Sequence, residues 1–498
     1  MMTRRQGKVN VSKSKYLAGL QCLKRLYLQC YHPELAGEID EQQQALFDQG
    51  TEVGLFAQRV FPSGVLLRED FLHHREAVSR TRQLIGDISI PALFEAAFTF
   101  EDIYIRVDIL ERLPGNRWRM IEVKSSTGVK DYHLPDVAIQ KYVLEQCGLN
   151  LAHACLMHLN RDYVYDGKHY QYDKLFTLED LKAAIEEIEQ ALPEQLAEQW
   201  ETLNGAHPPA IAPGLHCSDP FTCNFYDVCN APFPEDWPGY LPRMGGKVEQ
   251  LNEMGITSIH HIPDDFPLSA GQRRARACFT RNEPYYDENL TGELDTLKYP
   301  LYAMDFETLF PALPRYKGMR PYDHIPFQWS IHVQKTPGSE PEHYAFLHHD
   351  KTDPREPFIS SLLSVLEKHE TAPILVYSSF ESTRLKELSH WFPEYAGRIT
   401  QVRERLWDLL PVIRNNVYHP RFMGSFSIKH VLPALIPDMS YEHMEVADGT
   451  AAGLVYERMT GEGLEAGERE KARQSLLDYC RQDSLAMVRL LDHLSSVV

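Results

Sequence analysis

The residues of this chain best placed to do chemistry are two sets of acids and one set of cysteines. In the first set, Asp108 lies near the end of an alternating apolar segment (103–110). Glu122 and Lys124 lie two apart in another (118–124), with a turn at Pro114, Gly115 and Asn116 between them. Alternating segments read as strands, and strand side chains two apart share a face. A hairpin of this kind brings Asp108 beside Glu122. Two carboxylates can then hold one or two divalent ions that activate water and stabilise a leaving oxygen. The Lys124 ammonium would neutralise charge building on a scissile phosphate or orient the water. The same three residues, taken alone, also describe exposed charges on a hairpin.

In the second set, Asp305 and Glu307 share one face of a hydrophobic strand that starts after Pro300, a chelate for Mg²⁺ or Mn²⁺. Residues 373–377 read as a buried strand, and Glu381 lies in the helix that opens just after it. Tyr479 and Asp483 are four apart in a strong helical pattern (476–487) and so lie on one helix face. The third set is Cys22 with Cys217, Cys223 and Cys229, the last three at C-x5-C-x5-C. Four thiolates hold an iron–sulfur cluster or a zinc ion, and a ligand so far upstream ties the two ends of a domain together. The first acid set lies between Cys22 and the later trio.

Three regions must position these residues. Residues 1–235 hold the cysteines, a strand-rich middle and a long polar helix candidate near 178–204. Residues 236–298 are rich in Pro, Gly and Arg around a short helical segment and read as a connector. From 299 onward the pattern is strands followed by helices. At 498 residues the chain is long enough for two or three domains. With 43% hydrophobic and 24% charged residues it reads as globular, and no run of eighteen apolar residues suggests a membrane span. The N-terminus has no signal-peptide core, so a cytoplasmic location is expected, and nine cysteines there are better read as ligands and buried thiols than as disulfides. A net charge of −19 argues against indiscriminate nucleic-acid binding but not against acids that bind catalytic metal. Local basic clusters exist at Arg4, Arg5, Lys8, Lys13, Lys15, Lys24 and Arg25, and at Arg273, Arg274, Arg276 and Arg281.

Cys22 within SKYLAGLQC, Asp108, the Glu122-Val123-Lys124 run, the following amphipathic helix (136–144) with Gln140, and the late cysteine trio together resemble the PD-(D/E)xK superfamily. Within it, they resemble the RecB-like and CRISPR-associated nucleases that carry a four-cysteine [4Fe–4S] cluster. The resemblance implies catalytic roles for Asp108, Glu122 and Lys124, a supporting role for Gln140, and a cluster on Cys22, Cys217, Cys223 and Cys229. Two departures stand out. Residues 49–54 offer glycine where that family often carries a metal-binding histidine, leaving Glu52 or Glu95 to fill in, and its late cysteines usually include a closer pair, so zinc stays open.

The second acid set resembles the DEDD (DnaQ-like) 3′–5′ exonucleases of the ribonuclease H-like fold. That resemblance implies Asp305, Glu307, Glu381 and Asp483 as metal ligands and Tyr479 as the residue that orients the attacking water. Glu381 stands where aspartate is usual, and Asp408 is its rival or accessory. The order of the two modules also resembles a bacterial family that joins a RecB-like nuclease to a C-terminal domain of unknown function. Residues 247–259 resemble half of a helix-hairpin-helix, or a plain linker helix with a glycine stop.

The expected architecture is therefore α/β: a PD-(D/E)xK nuclease domain (1–235), a small helical connector (236–298) and a ribonuclease H-like exonuclease domain (299–498). The expected function is metal-dependent hydrolysis of DNA, single-stranded or with free ends, in DNA repair or defence against foreign DNA, with Mg²⁺ or Mn²⁺. The alternatives are an RNA or RNA–DNA processing nuclease, and a nucleic-acid-binding scaffold with one or both sites degenerate. No membrane partner is expected, and the oligomeric state is left open.

Overall fold

The computed structural model describes residues 11–69, 73–230 and 234–497. It is mixed α/β, with three sheets and eighteen α-helices among the described residues. The chain divides into two compact units, Met1–Pro232 with Pro311–Tyr322, and Phe233–Phe310 with Asp323–Val498. Among the described residues no helix is long and apolar enough to cross a membrane.

The first unit is built on a seven-stranded sheet: β1 (Val11–Ser12), β2 (Val65–Leu66), β3 (Ala92–Phe100), β4 (Ile103–Leu113), β5 (Arg117–Lys124), β6 (Leu151–Leu159) and β7 (Phe176–Asp180). The order is β2-β3-β4-β5-β6-β7, with β1 added parallel to β4. β3, β4 and β5 are consecutive antiparallel neighbours, whereas β5 and β6 run parallel. A parallel pair needs a crossover, and the helix Leu134–Gln146 supplies it, with a proline in its first turn where no intrahelical N–H is needed. The polar helix expected near 178–204 begins later, at Glu186, because residues 176–180 pair with β6 instead.

One sheet face packs Ile103, Ile105, Val107, Leu110, Trp118 and Met120 against the crossover helix and its neighbours; the other packs Ile109 and Ile121 with Val53 and Ala57. The alternation along β3 and β4 therefore slips by one residue. Val107 and Leu110 share a face, and so do Leu93 and Ala96. The slip centres on Glu95, whose φ of +58° is left-handed, and on Asp108 across from it.

The second unit carries a five-stranded sheet: β9 (Leu301–Leu309), β10 (Ile325–Gln334), β11 (Glu342–Leu347), β12 (Ile374–Val376) and β13 (Leu406–Asp408). Its order is β11-β10-β9-β12-β13, the first three antiparallel and the last two parallel to β9. A two-stranded ribbon pairs β8 (Tyr285–Tyr286) with β14 (Val417–Tyr418). Tyr302, Met304 and Phe306 face one core, and Leu301 and Ala303 face the other, which also receives the C-terminal helix Ala466–Val497. Asp305 and Glu307 continue the odd-numbered register, so the chelate expected from the sequence lies on the face of the C-terminal helix.

Two segments differ from the expected boundaries. Residues 236–298 are not a free connector: Leu241, Val248, Leu251, Ile259, Ala275, Leu290 and Leu294 share one core with Leu301, Leu409 and Leu490. Short helices cannot bury such residues by themselves, so they take their cover from the larger module. Conversely, residues 311–322, which lead from β9 to β10, belong to the first unit. There Ala312 and Leu313 sit in the core with Ile109 and Ile121, and Tyr322 Oη donates to the Ser125 carbonyl at 2.5 Å.

Candidate functional site

In the first unit the hairpin places Asp108 where the ladder between β4 and β5 stops, one step beyond the Ile109–Ile121 pair. Its carboxylate accepts the Val123 N–H at 2.7 Å, which fixes it beside Glu122. Glu122 is 2% exposed. Lys124 Nζ lies 2.7 Å from Glu122 Oε1 and 2.5 Å from Asp136 Oδ2. Gln140 Nε2 donates to Glu122 Oε2 at 2.7 Å and to Asp136 Oδ1 at 2.9 Å. The four residues expected from the sequence thus converge from two strands and one helix.

Two more groups complete the cluster. Lys13 Nζ lies 2.8 Å from Glu122 Oε1 and 3.3 Å from Asp136 Oδ1. Asp136 is buried in the first turn of the crossover helix. Neither carried a signal of its own: Lys13 sat within a basic run, and an acid in a helix's first turn is ordinary complement to the dipole. Of the two stand-ins for the histidine, Glu52 is exposed, while Glu95 is ion-paired to Arg106 at 3.2 Å and repels Asp108.

Electrostatics separate the two carboxylates. Burial, then the charge of Glu122, pushes Asp108 up to about 8. Burial also works to raise Glu122, but the ammoniums of Lys124 and Lys13 outweigh it and hold the group well below its ordinary value. Burial works to lower both lysines, yet their carboxylate partners raise both.

Cys22, Cys217, Cys223 and Cys229 line a single cavity of about 340 Å³ including its open mouth, with Leu28, Ile211, Pro213 and Phe225 as apolar walls and Lys24 and Arg25 as cations. Cys22 reaches it because it is the extended break between helices Lys13–Gln21 and Leu23–Tyr31. The trio is shaped by Cys223 N–H to the Cys217 carbonyl, and the Phe225 N–H points to Cys223 Sγ at 3.5 Å. All nine cysteines are free thiols. Of the five cysteines outside this set, read as buried thiols and not ligands, Cys155, Cys278 and Cys480 are buried and Cys30 is partly so. Cys147 is exposed, because it lies just past the end of the crossover helix.

The second unit gathers the second acid set. Asp305 and Glu307 on β9, Glu381 in the first turn of helix Phe380–Trp391, and Asp483 on the C-terminal helix are mutually repelling neighbours. Ligand atoms of Asp305, Glu307 and Cys480 lie within 4.8 Å of one another. Burial is the main cause of every shift, and neighbouring acids add to it for three of the four. Asp305 and Glu307 are raised well above the ordinary range, and Glu381 is pushed up to about 8, with Asp408 the first acid to add to it. Asp483 reaches only about 6, because Tyr441 Oη donates to it at 2.6 Å, Lys429 lies near, and Tyr479 bonds it too. Glu381 Oε2 is buried with no hydrogen-bond partner. Asp408 caps the helix Leu409–Asn416 through the Leu410 N–H at 3.0 Å and lies close enough to raise Glu381. Tyr441 and Lys429 were not legible in the sequence.

The basic clusters divide. Arg4, Arg5 and Lys8 lie outside the described residues. Three of the four later arginines serve local structure: Arg273 bonds the Leu268 carbonyl, Arg274 bonds the Asn415 carbonyl, and Arg276 pairs with Asp264 at 3.0 Å. The segment 247–259 forms the helix Lys247–Glu253, which Gly255 at φ +72° follows.

Residues 302–427 match the family described as a domain of unknown function (DUF2779). The match takes in Asp305, Glu307, Glu381 and Asp408 but not Tyr479 or Asp483. No curated protein matches the chain. It is similar at 14% identity to the solved structure of the protein named SSO0001, over 46% of this chain and 89% of that one. The TM-score is 0.22.

Proposed function

We propose that this chain is a metal-dependent DNA nuclease with two hydrolytic centres, a RecB-like PD-(D/E)xK centre in the first unit and a DEDD-type centre in the second. The observation that carries the reading is the second acid set. Four carboxylates gathered together, three of them buried and Asp305 partly so, with Glu381 Oε2 unpartnered and Lys429 and Arg384 as nearby cations, are far costlier than an ordinary surface cluster. Such a group fits divalent cations, whose charge repays the burial.

Asp305, Glu307, Glu381 and Asp483 would hold the ions in the second unit, and Asp108 and Glu122 in the first. Ions held there supply a nucleophilic water near neutral pH and stabilise the leaving oxygen. The protein's own residues do the rest. Tyr479, bonded to Asp483, is placed to orient the attacking water. Lys124 offers positive charge where the transition state gains negative charge. Gln140 holds Glu122 and Asp136 in one orientation. The five-stranded mixed sheet with a core on each face supports the ribonuclease H-like reading of the second unit.

Cys22, Cys217, Cys223 and Cys229 would hold a [4Fe–4S] cluster. The same four donors also permit zinc. DNA is the proposed substrate and RNA the alternative.

The test is cleavage of end-labelled single- and double-stranded DNA, with RNA of the same sequence alongside, in Mn²⁺ and in EDTA. Mn²⁺-dependent cleavage of DNA is expected. Binding of DNA without cleavage would replace the nuclease by a scaffold, and cleavage of RNA alone would change the substrate. A brown protein absorbing at the blue edge of the visible is expected; a colourless, zinc-containing one would replace the cluster.

A further inference from the structure

Lys13 stands out in the first unit because no part of the expected nuclease motif calls for it. It begins the helix after β1, and the parallel pairing of β1 with β4 delivers it to a site whose acids lie about a hundred residues later. Its ammonium and that of Lys124 lean on the same atom, Glu122 Oε1, at 2.8 and 2.7 Å. Two cations on one oxygen repel each other, so each needs a second partner. Lys124 has the closer one, Asp136 Oδ2 at 2.5 Å, while Lys13 reaches Asp136 Oδ1 only at 3.3 Å. Lys13 therefore has the longer second contact of the pair; both side chains are partly exposed, Lys13 at 23% and Lys124 at 26%.

The charge balance points the same way. Glu95 is paired with Arg106. Asp108, Glu122 and Asp136, when ionised, oppose two ammoniums and leave one excess negative charge. A single divalent ion on Asp108 and Glu122 turns that into one excess positive charge, and it competes with both lysines for Glu122. A phosphodiester carries the one negative charge that restores neutrality.

We infer that Lys13 is a substrate-binding cation of this centre, which leaves Glu122 when metal enters and takes a phosphate oxygen of the nucleic acid strand. Asp136 is the positioning residue that keeps Lys124 in place during the exchange. The inference rests on the proposed nuclease reading of the first unit.

The test uses the full chain with Asp305→Asn to silence the second centre, and a fluorescein-labelled single-stranded DNA oligonucleotide as probe. Lys13→Met, Lys13→Arg and Lys124→Met are compared in two assays: binding in Ca²⁺ across a salt series, and cleavage in Mn²⁺. Lys13→Met is expected to weaken binding about tenfold and to reduce the salt slope by about one, the signature of one lost phosphate contact. Lys13→Arg is expected to restore both, and Lys124→Met to lose cleavage while binding stays. If cleavage is lost in Lys124→Met but affinity and salt slope are unchanged in Lys13→Met, Lys13 is a structural ion-pair partner and the inference falls alone. If the Asp305→Asn protein neither binds nor cleaves the probe, or if Lys124→Met cleaves like its parent, the nuclease reading of this centre falls and takes the inference with it.

Discussion

At the scale of single residues, the second centre is defined by carboxyls held protonated above their ordinary range. Glu381, pushed up to about 8, binds a proton in the folded chain that it has lost in the unfolded one between about pH 4 and about pH 8. Where the folded state holds more protons, stability falls as pH rises. Asp483, at about 6, adds the same sign over a narrower window. Thermal unfolding in EDTA should therefore show Tm falling from about pH 5 to about pH 8, with a shallower slope in Glu381→Gln. A Tm that rises over that range in the wild type and not in Glu381→Gln would contradict the assignment. Asp305→Asn removes one of the carboxyls that repel each other once the pH is high enough to ionise them, and its effect is to be read there. It should raise Tm in EDTA by about 2–4 °C, the size of a 1 kcal/mol change in a unit this large, and lose the further rise that Mn²⁺ gives the wild type.

At the scale of elements, the hairpin of β4 and β5 was legible because its apolar residues alternate, and alternation fixes which side chains share a face. The slip at Glu95 and Asp108 was not legible. A left-handed glutamate in mid-strand has no local signature, since the surrounding sheet imposes it. That strain gives a prediction. Glu95→Gly and Glu95→Ala both lose the Arg106 ion pair, but only glycine accepts the positive φ freely, so Glu95→Gly should be the more stable of the two by about 1 kcal/mol in urea unfolding. Equal stabilities would mean that the backbone there is not left-handed. Lys13 and Asp136 were hidden for different reasons: pairing between β1 and β4 brings Lys13 in from far along the chain, and packing of the crossover helix turns Asp136, an ordinary first-turn acid, into the site. The strand chelate of Asp305 and Glu307 and the helix pair of Tyr479 and Asp483 were legible because each rests on a local period. Tyr441 enters from a loop without one, and Lys429 from a short helix whose own period does not point to the site.

At the scale of the whole molecule, composition separated two modules but misplaced their edges. Residues 236–298 look linker-like because prolines, glycines and arginines surround their apolar residues, yet those residues fill the second unit's core. Residues 311–322 look like a loop between strands, yet Leu313 is 5% exposed in the first unit's core. Leu313→Ala should thus cost the first unit about 2–4 kcal/mol. Hydrogen exchange should rise in β5 and the helix Glu41–Gln58, with β9 and β10 unaffected, although Leu313 lies between those two strands in sequence. Exchange rising in β9 and β10 instead would assign the segment to the second unit.

On the reading proposed above, one chain carries two separate hydrolytic centres. The most direct test of that reading is the product pattern from end-labelled DNA in Mn²⁺ for the wild type, Lys124→Ala, Asp305→Ala and the double variant. Each single substitution should remove a different part of the pattern by about 10²–10³-fold, and the double variant should leave no cleavage above background. A double variant that cleaves like the wild type would contradict the account.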